Sequence, residues 1–212
     1  WKYADLQLDR RWNRLVCVRE TARDGQEPEN DLVAVSLEGG AVEMLASGHD
    51  FYTAPRVRND GAALAFLTWD HPNMPWDGTI LWQAEVGEGG AIGLPKPVAG
   101  GEQEAIFQPQ WGMNGELFYV SDRSGWWNLY SHRDGEDSPL LEKSADFGKP
   151  YWQFGMSTYG LVDATTLVCS WCEDGLWSLG RLDVQKCELT PIDTDYTTFD
   201  GISVAGSTVA CL

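Results

Sequence analysis

Short apolar runs, each roughly four to eight residues long, recur along the chain between Gly, Asp, Asn and Pro, and no stretch carries helical periodicity. The runs are rich in β-branched and aromatic residues, which suits pleated, half-buried strands. Pro55-Arg56-Val57-Arg58-Asn59-Asp60-Gly61, followed by the apolar run Ala62 to Trp69, aligns with Pro109-Gln110-Trp111-Gly112-Met113-Asn114-Gly115 and the run Glu116 to Ser121. In both, an extended stretch meets Asp-Gly or Asn-Gly, dipeptides that accept the positive φ of a tight hairpin turn. A further strand follows a loop each time, at Thr79-Ile80-Leu81-Trp82-Gln83-Ala84 and at Trp127-Asn128-Leu129-Tyr130-Ser131. The pattern returns as Leu15 to Arg19 with Asp31 to Leu37, and as Leu167 to Trp171 with Leu176 to Leu182 across a Glu173-Asp174-Gly175 turn.

Each unit closes on a short run suited to an outer strand: Val42-Glu43-Met44-Leu45, Lys96-Pro97-Val98-Ala99, Pro139-Leu140-Leu141-Glu142 and Glu188-Leu189-Thr190-Pro191-Ile192. Proline is tolerated at an edge that need not donate every ladder hydrogen bond. Four strands in about 45–50 residues is the period of a propeller blade. The chain is therefore expected to be all-β, a partial β-propeller with blades near 1–47, 48–100, 101–143 and 144–192 and half a blade over 193–212. A sandwich or up-and-down barrel is the rival, but neither requires a repeated four-strand meander.

In a meander with strands A to D from inside to outside, A–B and C–D turns share one face, and B–C loops and D–A crossovers share the other. The Asp-Gly and Asn-Gly turns read as economical A–B turns. The B–C loops read as elaborated: Thr21 to Asn30, then Asp70-His71-Pro72-Asn73-Met74-Pro75-Trp76-Asp77-Gly78, then Asp122-Arg123-Ser124-Gly125-Trp126. Elaborated loops on a rigid scaffold are where binding resides. The candidate substrate or interdomain contacts are accordingly Asp70, His71, Trp76, Asp77, Arg123 and Trp126. Arg123 has the planar fork that meets a carboxylate, either a peptide's or a neighbouring aspartate's. Asp70 and Asp77 could flank a substrate or fix their own loop through Asx turns. Trp69, Trp82, Trp111, Trp127, Trp171 and Trp177 fall in or beside strands and are expected to pack between blades.

Composition narrows the function. The formal net charge of −17 repels a phosphate backbone and an anionic lipid surface, so neither nucleic acid nor membrane is an expected partner. No stretch approaches a membrane-spanning length of apolar residues. Five cysteines lack the spacing of a disulfide framework, which suggests a reducing, cytoplasmic setting. Cys17, Cys169, Cys187 and Cys211 read as buried strand residues. Cys169 and Cys172 form C-x-x-C within a strand, where residues three apart face opposite ways, so neither a chelate nor a redox pair is expected. His49, His71 and His132 are scattered, and no metal or cofactor motif is present. The strings Gly155-Met156-Ser157-Thr158-Tyr159-Gly160 and Gly201-Ile202-Ser203-Val204-Ala205-Gly206 are each one residue too long for a nucleophile elbow and precede no helix. No catalytic residue is assigned.

The run Leu67-Thr68-Trp69-Asp70-His71-Pro72-Asn73-Met74-Pro75-Trp76-Asp77-Gly78-Thr79, with Leu81-Trp82 after it, resembles the propeller of bacterial prolyl-oligopeptidase-family serine peptidases, in the dipeptidyl aminopeptidase and acylaminoacyl-peptidase branch. Phe107 to Trp111, Val120-Ser121-Asp122-Arg123-Ser124-Gly125-Trp126-Trp127-Asn128-Leu129-Tyr130, Phe147 to Pro150 and Phe154 to Tyr159 extend the similarity over nearly the whole chain. Gly112-Met113-Asn114-Gly115 departs from the usual Ser-Pro-Asp-Gly turn but keeps its geometry. The resemblance implies a C-terminal α/β-hydrolase domain, absent here, that holds the catalytic triad. It implies that the propeller gates or positions short peptide substrate for that domain, its partner in the same parent chain. The weaker Ser-Asp-Arg-x-Gly motif is shared with TolB-like propellers, so a pure protein–protein interaction module is the alternative.

Both termini, Trp1-Lys2-Tyr3 and Ala210-Cys211-Leu212, read as cuts from a longer chain. An open arc of blades would bare a sheet face at each end. If each face exposes about 300 Å² of apolar area, the two forfeit roughly 15 kcal/mol of burial at ~25 cal/mol per Å², comparable with the ~5–15 kcal/mol stability of a domain. The isolated segment should therefore either self-associate through its open blade faces or stand only as part of its parent. Sedimentation velocity measures this directly, and a stable monomer at all concentrations contradicts it.

Overall fold

The computed structural model describes all residues, 1–212, as an all-β chain. The first sheet comprises β1 (Lys2–Asp9), β2 (Arg14–Thr21), β3 (Glu29–Ser36) and β4 (Val42–Ala46). The second comprises β5 (Phe51–Val57), β6 (Ala63–Trp69), β7 (Ile80–Glu85) and β8 (Lys96–Gly100). The third comprises β9 (Ile106–Trp111), β10 (Leu117–Ser121), β11 (Asn128–Arg133) and β12 (Glu136–Pro139). The fourth comprises β13 (Tyr159–Leu161), β14 (Thr166–Glu173), β15 (Leu176–Asp183) and β16 (Glu188–Ile192). A two-stranded sheet, β17 (Ser203–Ala205) and β18 (Thr208–Ala210), follows. Every four-stranded sheet is a simple antiparallel meander with strands in chain order, the connectivity of a propeller blade. Pro55 and Pro109 lie on β5 and β9, in different sheets. No helix is long and apolar enough to cross a membrane.

The chain divides into two compact units, Trp1–Trp111 and Gly112–Leu212. In the first, the opening two sheets bury their flanks against each other. Val16, Val18 and Leu32 of the first meet Tyr52, Leu64, Phe66 and Val86 of the second, with Trp12 and Trp82 closing the edge. At about 1.5–3 kcal/mol per fully buried apolar side chain, these seven contribute on the order of 10–20 kcal/mol. A single hydrogen bond adds about 1 kcal/mol, so apolar burial dominates this junction.

Polar side chains then fix the register between sheets. The Asp5 carboxylate accepts from the Ala54 amide at 2.6 Å and the Thr53 hydroxyl at 3.0 Å. Asp5 and Ala54 both hold a left-handed φ of 51°, and Gln108 on β9 holds 50°. The pairing register slips between Ala4 and Gln7 on β1 and between Thr53 and Arg56 on β5. The same bulge therefore recurs in successive innermost strands, and the hydrogen bonds that Asp5 accepts help hold a conformation that non-glycine residues rarely adopt. Thr79 Oγ1 accepts from the Ile106 amide at 2.6 Å and reaches the Ile106 carbonyl at 3.3 Å. The Trp111 indole N–H donates to the Arg56 carbonyl at 2.8 Å.

In the second unit, Phe147 lies over Trp171 with ring centroids 5.8 Å apart, and Trp177 faces the Lys149 ammonium at 4.1 Å. A Cβ at Gly148 would sit 2.7 Å from the Trp127 ring. Asn128, 1% exposed, brackets Lys143, donating to its carbonyl at 2.9 Å and accepting from its amide at 3.0 Å. The Ser157 hydroxyl donates to the Ile202 carbonyl at 2.7 Å.

Several sequence expectations are corrected. The outer strand of the third sheet is Glu136–Pro139, not Pro139 to Glu142. Asp134 (φ 53°) and Gly135 (φ 86°) make a two-residue turn that pairs Arg133 with Glu136 at once, and Leu140 is buried beyond the strand. The Asp174-Gly175 turn joins β14 to β15, so it is a B–C turn. The fourth sheet therefore has a tight connection where the first three carry long loops. Cys17 and Cys169 are fully buried, but Cys187 and Cys211 are exposed. Cys187 sits in a turn at φ 57° that the Asp183 carboxylate organises by accepting from the Gln185 and Lys186 amides, both at 3.0 Å. Burial pushes the Cys169 thiol up to about 12.

Thr79→Val keeps the shape of the side chain and removes both of its bonds to Ile106. Urea denaturation should show a loss of about 1–3 kcal/mol, whereas a change within error would remove this staple from the account.

Candidate functional site

Two dipeptides of mirrored sequence meet on the loop side of the first unit. His49-Asp50 lies in the crossover from β4 to β5, and Asp70-His71 begins the loop from β6 to β7. The His49 ring nitrogen Nδ1 is 2.7 Å from Asp70 Oδ2, and the Asp50 amide donates to Asp70 Oδ1 at 2.7 Å. Reciprocally, the His71 amide donates to Asp50 Oδ2 at 2.9 Å and His71 Nδ1 lies 2.9 Å from the same oxygen. Each aspartate thus holds one backbone amide and one imidazole of the other pair. The meeting of a D–A crossover with a B–C loop is the shared face that the meander predicts.

Aromatic rings support the clasp from beneath. His71 lies 5.0 Å from Phe51, which stacks on Trp69 at 5.0 Å and 13°. His49 lies 5.6 Å from Trp82 and 6.0 Å from Tyr52. The same loop is tied on its other flank, where Asn73 Nδ2 donates to the Glu102 carbonyl at 2.9 Å. Within the loop, Asp77 Oδ2 accepts from the Met74 amide at 2.9 Å, a bond back to the start of the turn rather than the forward Asx turn expected from sequence. The His71–Pro72 peptide bond is cis.

The clasp separates two clefts. One, of about 760 Å³, is lined by Glu20, Glu27, Glu29, Asp31, Met44, His49, Asp50, Phe51 and His71 among others. Its carboxylates are largely answered: Glu20 pairs with Lys2 at 2.6 Å, Asp31 with Arg19 at 2.6 Å, and Glu29 with Arg23. The other, of about 450 Å³, lies between the Asp70–Asn73 segment and Gly101-Glu102-Gln103. His71 lines both.

Hydrogen bonds from the His71 amide, and then from its ring, hold the Asp50 carboxyl below the ordinary aspartate range despite a small opposing effect of burial. The bonded carboxylate stabilises the fold above the unfolded-state value, and that stabilisation fades as pH falls through the lower folded value. With Nδ1 of each imidazole beside a carboxylate, Nε2 is the ring nitrogen left for a further hydrogen bond. Neither cleft is lined by a serine or cysteine beside a histidine except Ser47, which precedes Gly48 in the crossover.

The remaining candidates divide between the units. Trp76 is half-buried in the clasped loop and lines neither cleft. Arg123 and Trp126 belong to the second unit. There Arg123 donates to Asp137 at 3.1 Å and to the Tyr119 hydroxyl at 3.1 Å, and its guanidinium lies 4.8 Å from the Tyr130 ring centre. His132 Nδ1 reaches the other Asp137 oxygen at 2.8 Å. Burial raises the Asp137 carboxyl, but bonds from His132, Arg123 and Tyr119 together outweigh it and leave it lowered. Asp137 is thus one carboxylate partner of Arg123 in this structure. Trp126 is 42% exposed, with its carbonyl accepting from the Ser124 hydroxyl at 3.0 Å. His49 and Asp50 escaped the reading of the sequence, although the mirrored His-Asp and Asp-His dipeptides were a usable signal.

Solved structures place the chain. Puromycin hydrolase aligns with 99% of it at 31% identity and a TM-score of 0.92. A puromycin-hydrolysing peptidase of Mycobacterium tuberculosis aligns with 98% at 30% identity and a TM-score of 0.89. The chain is a propeller segment that matches part of puromycin hydrolase, a prolyl-oligopeptidase-family peptidase. The segment spans about a third of the length of those structures, 33% and 34% respectively. Prolyl oligopeptidase B of Galerina marginata, at 12% identity and a TM-score of 0.68, and TolB of Acinetobacter baumannii, at 15% and 0.57, share the propeller fold alone. No family model and no curated protein matches the sequence.

In His71→Ala, the Asp50 carboxyl should titrate higher than in the parent, yet stay below the ordinary aspartate range because the residue 71 amide still donates. Carbon-detected NMR titration of the carboxyl checks this; an unmoved titration would mean the ring bond is absent in solution.

Proposed function

We propose that this propeller segment borders the substrate entrance of a serine peptidase whose hydrolase domain lies elsewhere in the parent chain, admitting short peptides and aminoacyl compounds. The observation that carries the reading is 31% identity over 99% of the segment to puromycin hydrolase. The parent reaction is then hydrolysis of an amide at an aminoacyl group, as in puromycin, in the dipeptidyl aminopeptidase or acylaminoacyl-peptidase branch. This segment supplies the gate and no nucleophile. The strapped Asp70 to Gly78 loop, with its clasp to the neighbouring crossover, is the rigid lip that such a gate requires. The five cysteines, all thiols, fit a parent that works in the cytoplasm. A purely interacting, TolB-type role has weaker support, since TolB shares only 15% identity.

The parent chain, with its hydrolase domain, should hydrolyse puromycin and short aminoacyl p-nitroanilides. An intact parent that cleaves none of them would refute the assignment. Asp70→Ala should loosen the lip. The ratio of kcat/KM for a long unfolded peptide to that for a dipeptide should rise several-fold, and an unchanged ratio would remove gating while leaving the peptidase assignment standing.

A further inference from the structure

On the turn side of the first unit, Arg10 and Arg11 of the β1–β2 turn face Arg58 and Asn59 of the β5–β6 turn across a cleft of about 170 Å³. Basic residues are scarce here, 15 against 32 acidic, so three guanidiniums around one small cleft run against the charge of the whole chain. The one carboxylate lining it, Asp9, is 1% exposed and spent on Arg14 at 2.9 Å and on the Trp12 amide at 3.3 Å.

The arginines are positioned by the fold. Arg11 donates through one terminal nitrogen to the Asp60 carbonyl at 3.1 Å, and its guanidinium lies 5.2 Å from the Trp12 ring centre. Arg58 donates through Nε to Asp60 Oδ1 at 2.9 Å, and its guanidinium lies 5.6 Å from the Trp111 ring centre. Each uses one of five donors in these bonds, leaving most of a planar fork for another acceptor. The Trp12 indole donates to the Gly61 carbonyl at 3.3 Å and ties the two turns together. A Cβ at Gly61 would lie 2.5 Å from Arg11 Cβ, so the glycine permits the close approach. Asp60 neutralises part of Arg58, and Arg10 stands exposed at the rim.

We propose that this cleft is a binding site for a small oxyanion, a phosphate or carboxylate group, held by Arg10, Arg11 and Arg58 with the Asn59 amide. The volume admits one tetrahedral oxyanion with accompanying water, and preset guanidiniums reduce the ordering cost of binding. The site uses none of the residues of the clasp and stands whether or not the parent is a peptidase.

Titration calorimetry of the full chain at fixed ionic strength, with inorganic phosphate in one arm and acetate in the other, tests it. Saturable binding should appear for at least one anion. It should weaken about tenfold in Arg10→Gln and in Arg58→Gln, the loss expected for one charge-assisted hydrogen bond. Lys186→Gln, an exposed cation paired with Asp183 in the second unit, should bind as the parent does. Stronger binding of phosphate would name a phosphate ester as the source, and an equal response to acetate a carboxylate. No saturable binding of either anion, or equal weakening in Lys186→Gln, overturns the proposal. Circular dichroism of each variant separates lost binding from lost folding.

Discussion

Burial of one sheet's flank against the next is the interaction on which everything else rests. An antiparallel meander of four strands exposes two faces, and in a propeller both must be covered by neighbours. The cluster of Val16, Val18, Leu32, Tyr52, Leu64, Phe66 and Val86 is that interaction in its simplest form. It is non-directional and large, so it fixes that sheets stack without fixing how. Direction comes from a sparse set of polar groups near the strand ends. Asp5 on Thr53 and Ala54, Thr79 on Ile106, Asn128 on Lys143 and Ser157 on Ile202 each join a loop or inner strand to the next element. They are few, but each is at least half-buried, where an unmet partner would cost more than the bond contributes.

Once the sheets are stacked, the chain's connections are sorted onto two sides with different chemistry. On one side of the first unit, long loops meet crossovers, and reciprocal histidine–aspartate bonds clasp them together. On the other, short turns bring arginines together beside indole rings. Neither arrangement needs a helix or a metal; both use the fact that a meander returns alternate connections to the same side. A gate for a hydrolase domain needs such a side, because its residues must be held by the scaffold and still reach beyond it.

Much of the fold was legible because its signals are local. Asp60-Gly61 and Asn114-Gly115 announce turns by the φ angles that they tolerate, and the apolar runs on either side announce strands. The misreadings were also local in origin. Pro139 to Glu142 looked like a strand because it is apolar, yet the Asp134-Gly135 turn started the pairing earlier. Cys187 looked like a buried strand residue, yet the Asp183 carboxylate organises the turn in which it sits, exposed. Arg123 offered a fork for a carboxylate, and only the fold placed Asp137 across the sheet within its reach.

The sequence by itself determined the meander, its period, the family resemblance and the loop that carries Asp70 and His71, since each depends on residues close together in the chain. Tertiary structure alone decided that His49-Asp50 would meet Asp70-His71 and that Arg10 and Arg11 would face Arg58. Those contacts join residues about twenty to fifty positions apart. They exist because flank-to-flank packing sets the separation of neighbouring sheets, a distance that no local pattern encodes.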